Sequence, residues 1–154
     1  MNFDITWKII DKYFKDNPNI LISHHTDSYN DFFSTEINKI FRERNPIKIL
    51  KKQDEKTKEF MQECRLYLGG KDGTKIYYGK PVIYDDNNVH NMYPNEARLR
   101  DMTYGFSIHY DVDVEFKIKK DDDENEILHE LVLEKIYLGK FPIMIQSNLC
   151  LLNE

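Results

Sequence analysis

The chain has 154 residues, a mass of 18.5 kDa, a formal net charge of −5 at pH 7 and a mean hydropathy of −0.67. That length suits one domain with a substantial core, and no stretch approaches the ~20 apolar residues that a membrane-spanning helix needs. Ten tyrosines and nine phenylalanines exclude a disordered chain, and the acidic balance argues against strong nucleic-acid binding by the isolated protein, because phosphate contacts need a surplus of Lys and Arg.

The first predicted element is a helix over Thr6–Lys15. Trp7, Ile10 and Phe14 recur at helical spacing, and Asp4 or Thr6 is placed to cap it. Asp16-Asn17-Pro18-Asn19 ends it, since a residue before proline avoids the α region. A second helix follows, with Asp27 or Ser28 as its cap and Phe32, Phe33, Ile37, Ile40 and Phe41 in one stripe. Arg42 and Arg44 lie in its last turn, opposite the negative dipole end, and Asn45-Pro46 stops it. The N-terminal stretch Met1–Tyr13 mixes Asp and Lys with its apolar residues and does not read as a signal peptide.

After Pro46 the period changes. Ile47–Leu50 reads as a short strand, Lys51–Glu59 as a charged loop or helical turn, and Cys64, Leu66 and Leu68 alternate with polar neighbours. Gly69-Gly70-Lys71-Asp72-Gly73 reads as a hairpin turn, because the spacing and following helix of a phosphate loop are lacking. Lys75–Tyr84 resumes as a strand that Pro81 demotes to an edge or bulge, and Asp85–Asn91 reads as a polar loop.

The clearest signal is a strand over Phe106–Lys119. Even positions from Phe106 to Ile118 are all apolar, and odd positions from Ser107 to Lys119 are all polar. Chance gives that alternation in roughly 5 of 100,000 windows, so one face turns inward and the acidic face turns to water. A run this long implies a strong twist or a bulge. Lys120–Glu126 reads as an acidic turn and Ile127–Leu138 as the hairpin partner, broken by Gly139-Lys140. Phe141–Gln146 reads as a final strand. The order of elements predicts an α+β fold with two N-terminal helices and a mostly antiparallel sheet, in one domain spanning residues 1–154.

Several groups bear on chemistry. Asp111, Asp113 and Glu115 form a row of acids, read as a magnesium site or as the outer face of the strand. Alternation spaces them about 6.5–7 Å apart, too wide for all three to share one ion without a kink. His109 and His129 are expected to face each other across the hairpin as a polar pair. Ser147 and Cys150 lack the surroundings of a nucleophile. Two unclustered cysteines, Cys64 and Cys150, suit a reducing, intracellular protein better than a disulfide scaffold. Arg98 and Arg100 are able to grip phosphate in bidentate fashion, or to staple their turn to neighbouring carboxylates.

The segment Tyr93-Pro94-Asn95-Glu96-Ala97-Arg98-Leu99-Arg100-Asp101-Met102-Thr103-Tyr104 resembles the "YPxEARLRxLTYS" signature of the second-largest subunit of multisubunit DNA-directed RNA polymerases. His25–Phe33 resembles that family's "HQxDSFNxFI" segment, and Leu138–Cys150 resembles its "xGxxPIMLRSxxCxL" segment, in the same order. The Lys- and Asn-rich composition would suit a large DNA virus or another AT-rich source.

The resemblance implies the first part of the protrusion domain, a non-catalytic wall of the DNA cleft. It implies a fragment or one piece of a split subunit of a nucleotidyltransferase, with the magnesium on the largest subunit and no catalytic, cofactor or metal residue here. Implied partners are the rest of the second-largest subunit, the other polymerase subunits, DNA and an initiation factor. The implied location is the nucleus, or a cytoplasmic viral factory or virion. The basic residues outside the acidic hairpin, Lys71, Lys75, Lys80, Arg98 and Arg100, are the candidates for touching DNA. Gln146 stands where the family usually has Arg, and Asn148 where a basic residue is common, so no phosphate contact is carried over to that loop. Two other readings are a free-standing interaction domain derived from the polymerase piece and a small metal-dependent hydrolase using the acid row.

Overall fold

In the computed structural model, residues 3–53, 55, 60–85, 88–120 and 123–153 are described. Helix α1 (Phe3–Asp16) precedes a second helical rod built of α2 (Ser23–Asp31), a π-helical turn (Phe32–Glu36) and α3 (Ile37–Arg44). The backbone stays helical through both joins. The rod starts at Ser23, four residues before the expected caps, and its first turn has no side-chain cap. Inside the π-turn, the Ile37 amide donates to the Phe32 carbonyl five residues back. Phe33, Ile37 and Phe41 recur every four residues, which would drift round a helix of 3.6 residues per turn; the widened turn offsets that drift. All three are buried, while Phe32 and Ile40 face outward.

Five strands form one antiparallel sheet: β1 (Ile47–Gln53), β2 (Phe60–Leu68), β3 (Ile76–Tyr78), β6 (Gly105–Lys120) and β7 (Asp123–Pro142). β6 is the spine. β7 pairs along one edge, from Gly105↔Pro142 to Lys120↔Asp123. β2 and β3 share the other edge, β2 against Val112–Ile118 and β3 against Ile108–Tyr110.

The glycine cluster is therefore not a hairpin turn. It is a loop thrown out of one strand line, after which the chain rejoins the same edge. The Gly69 amide donates to the Asp111 carbonyl at 2.8 Å, the Asp111 amide to the Lys75 carbonyl at 3.2 Å, and the Lys75 amide to the Gly69 carbonyl at 2.8 Å. The loop lies against the end of α3. A Cβ on Gly69, which has a φ of +69°, would stand 2.9 Å from the Phe41 ring, so glycine is required there. Asn45, which ends α3, donates to the carbonyls of Leu68 (2.9 Å) and Gly70 (3.2 Å) and accepts from the Leu68 amide (2.8 Å).

Pro81 splits the next predicted strand, as its missing amide requires, into β3 and β4 (Val82–Asp85). The expected polar loop instead contains β5 (Asn88–Asn91), which pairs with β4 in a separate two-stranded sheet. Helix α4 (Pro94–Leu99) opens on Pro94 and packs Ala97 against Ile83 and Met92. The main core sets Phe33 and Ile37 against Phe106, Ile108, Ile143 and Cys150. The Phe33 ring meets those of Tyr29 and Phe106 at 4.8 and 5.3 Å. The Tyr29 hydroxyl donates to the Pro142 carbonyl at 2.7 Å, and the Tyr78 hydroxyl to the Phe33 carbonyl at 2.8 Å.

Further corrections concern the hairpin. β7 runs through Gly139-Lys140 to Pro142, so no separate strand begins at Phe141. The expected bulges are present, with register shifts at Ile108/His109, Tyr110/Val112 and Ile118/Lys120. They move the partners: His109 lies opposite Tyr137 and His129 opposite Phe116, so the two histidines do not meet. Residues 121 and 122 of the acidic turn, and 54 and 56–59 of the charged connection, lie outside the described residues.

The inward face of β6 is buried at Phe106, Ile108, Val112 and Val114, but Phe116 is 41% exposed because the helical rod stops short of it. On the other face Asp111 and Glu115 are only 7% and 8% exposed, where open solvent was expected. Tyr77 and the Lys135 amide meet Asp111, and Tyr67 and Lys71, from the loop after β2, meet Glu115.

Candidate nucleic-acid interface

The acid row of β6 is held residue by residue. Asp111 sits where β7 bulges, with Glu134 and Lys135 spanning the single ladder position opposite it. Lys135 has a φ of +51°, and its amide donates to Asp111 Oδ1 at 2.9 Å, replacing the ladder bond that the bulge removes. The Tyr77 hydroxyl donates to Asp111 Oδ2 at 2.9 Å. The Lys135 amide, with help from Tyr77, holds the Asp111 carboxyl below the usual range.

Asp113 meets Lys75 Nζ at 3.3 Å. Glu115 meets Lys71 Nζ at 2.6 Å and accepts from the Tyr67 hydroxyl at 3.2 Å. The Lys71 ammonium lowers the Glu115 carboxyl, and the carboxylate raises Lys71 in turn. Lys71 also lies 3.6 Å from Glu130 and 5.8 Å from the centre of the Tyr67 ring. Each acid thus has its own partners rather than a shared centre. Among the described residues, no group of three or more His, Cys, Asp or Glu is arranged to hold a metal ion.

The five basic candidates fall into two places. Lys71 and Lys75 lie in the loop on the acid row, where carboxylates take their charge. Lys80, Arg98 and Arg100 belong to the other end, around the small β4–β5 sheet and α4. Arg100 makes a bidentate pair with Asp85, at 2.9 and 3.1 Å, and reaches Glu96 at 3.2 Å. It lowers the Asp85 carboxyl. Glu96 also meets His90 Nε2 at 3.0 Å, so these side chains fasten α4 to the hairpin beneath it. For Arg100 the stapling reading is the observed one.

Arg98 is different. It is exposed in the last turn of α4 and has no ion pair among the described residues. Lys80 is exposed in the bend between β3 and β4, beside a cleft of about 200 Å³ lined by Tyr78, Pro81 and Leu149. Tyr67, Tyr77 and Glu130 complete the acid row but carry no motif; only strand register brings them there.

Fold and surface together define a class: an α+β scaffold whose β6 acid row is tied up by its own lysine, amide and hydroxyl partners. Residues 20–154 match the model of a family described as the RNA polymerase beta subunit. The chain belongs to that family, and it corresponds to the N-terminal region of the second-largest subunit of DNA-directed RNA polymerases. It is 33% identical to the RNA polymerase II subunit RPB2 of Meyerozyma guilliermondii, over 96% of this chain and 12% of that protein. It is 32% identical to the RNA polymerase subunit Rpo2N of Methanothermobacter thermautotrophicus, over 94% of this chain and 23% of that protein. With the RNA polymerase II subunit 2 of Arabidopsis thaliana it shares 28%, over 95% of this chain and 12% of that protein. The chain thus spans a minor part of these relatives' length.

Proposed function

We propose that the chain forms part of the protrusion of a DNA-directed RNA polymerase, a non-catalytic wall of the DNA cleft. The observation that carries this reading is the family match across residues 20–154. The site geometry supports it. Acids tied to their own lysine, amide or hydroxyl lock β6 to the elements beside it, as a rigid wall requires. In this reading the rest of the second-largest subunit and the other polymerase subunits are its partners, with DNA and an initiation factor in the assembled enzyme. Magnesium is held by the largest subunit and by no residue here. The place of action is the nucleus, or a viral factory or virion.

In this reading the DNA contact centres on Arg98, which has no ion pair among the described residues, whereas Lys71, Lys75 and Arg100 are engaged with carboxylates. Such contacts reach phosphate and position the duplex without reading its sequence. Two measurements test the reading. A tagged chain purified from its source should bring down the largest polymerase subunit together with DNA-dependent RNA synthesis; recovery without polymerase subunits contradicts it. Anisotropy of a labelled duplex should show weak binding that strengthens as salt falls, and Arg98→Ala should reduce the slope against log salt by about one. Submicromolar binding at physiological salt would rule out the weak positional role.

A further inference from the structure

Strand β1 is an edge that the fold leaves open. It pairs with β2 alone among the described residues, so alternate amides and carbonyls along its other side meet no strand. The register runs unbroken from Ile47 to Lys51, and Lys52, with a φ of +53°, then drops out of it. Every residue of β1 is exposed, including Ile47, Ile49 and Leu50. Ile47, Ile49 and Lys51 stand on the inward face, with Leu66 and Val114; Lys48 and Leu50 stand on the face of Glu115.

The charges on this edge are not answered within the sheet. Lys48 lies opposite Arg65, and Lys51 opposite Gln62. Glu63, diagonal to Lys48, is held by Arg65 at 2.7 Å. Neither lysine closes an ion pair among the described residues. Three positions apart, the two point to opposite faces. A nucleic acid lying on either face meets only one of them. An occupant in the plane of the sheet reaches both, and the open backbone defines it as another strand. Beside Lys48 and Lys51 that strand places acids, and beside Ile49 and Leu50 apolar residues. Edge lysines repel a basic strand and lose hydration against an apolar one, so an acidic strand is the one they favour. A second copy does not qualify, because no described strand of this chain has two acids separated by two apolar residues. We propose that β1 takes up an extended segment of a partner protein, in which two acids flank two apolar residues, as a sixth strand of the sheet. The inference goes beyond the polymerase reading and does not depend on it.

The test uses the whole chain and three labelled peptides of equal length. Their centres are Glu-Ile-Val-Glu, Lys-Ile-Val-Lys and Glu-Ile-Val-Ile-Glu, the last with both acids on one face. Anisotropy should show the first binding about tenfold tighter than the second and about threefold tighter than the third. Amide exchange in the first complex should slow at alternate residues between Ile47 and Lys51. Lys48→Glu combined with Lys51→Glu, both at exposed positions, should reverse the order of the first two peptides. Binding that ignores the spacing of the acids, peptide-induced protection on β7 instead of β1, or no binding by any peptide overturns the proposal. Protection of β1 by a single-stranded oligonucleotide, or by raising the concentration of the chain alone, assigns the edge to nucleic acid or to a second copy and overturns it as well.

Discussion

Asp111 shows how a side chain can stand in for backbone. A bulge puts two residues of β7 opposite one of β6 and leaves the Lys135 amide facing no carbonyl; a carboxylate oxygen fills the gap. Glu115 makes a second tie, from β6 to the loop that carries Lys71. Both carboxyls have folded-state pKa values lowered by these partners. A lowered value means the charged form is bound more tightly in the folded protein than in the unfolded chain. The stabilisation is therefore fully present above the unfolded value of about 4, and is lost as pH falls through the folded one. Thermal melts from pH 7 down to pH 3 should show Tm dropping below about pH 4. Asp111→Asn should lower Tm at pH 7 and flatten the acid decline; a variant that keeps the wild-type slope would remove Asp111 as its source.

At the scale of elements, joints matter more than the elements they connect. Asn45 ends α3 and at the same time offers β2 the donor and acceptor that a neighbouring strand would supply, through three hydrogen bonds to Leu68 and Gly70. Asn45→Ala leaves the Leu68 amide without that acceptor. The expected cost is about 1–3 kcal/mol, seen as a Tm fall of about 3–10 °C in calorimetry. Asn45→Asp, which keeps the acceptor and loses the donor, should fall between the two. This is also where sequence reading stopped. β6 was legible because every second residue is apolar, and the helices were legible by their stripes. The Gly69–Gly73 cluster announced a turn, yet whether a chain folds back or rejoins the same edge is decided by pairing with β6, more than thirty residues away. Gly139 looked like a strand end; it pairs with Ile108 beside a register shift, and β7 continues through it. The partners of Lys71 and Lys75 follow from that same register, so their neutralisation had no local signal, whereas Arg100 and its acids lie within 15 residues, and stapling was one of the two readings offered for it.

For the whole molecule, the open edges decide behaviour in isolation. β7 pairs with β6 and with no other strand among the described residues, which leaves its outer edge unpaired. Leu128, Leu131, Val132 and Leu133 are all exposed along it. An unpaired edge with exposed apolar side chains between Leu128 and Leu133, away from the bulge at Glu134–Lys135, is a template for a further strand. The chain alone should therefore associate through β7 as its concentration rises, seen as a growing sedimentation coefficient. Because this contact does not involve α1, Trp7 should remain open to quenching as it forms. Val132→Lys places a charge on the edge opposite Asp113 and should shift the association midpoint to at least about tenfold higher concentration, with little change in Tm. Equal association by this variant would move the sticky surface elsewhere, and the exposed sheet around Phe116 and Ile49 would be the next to test.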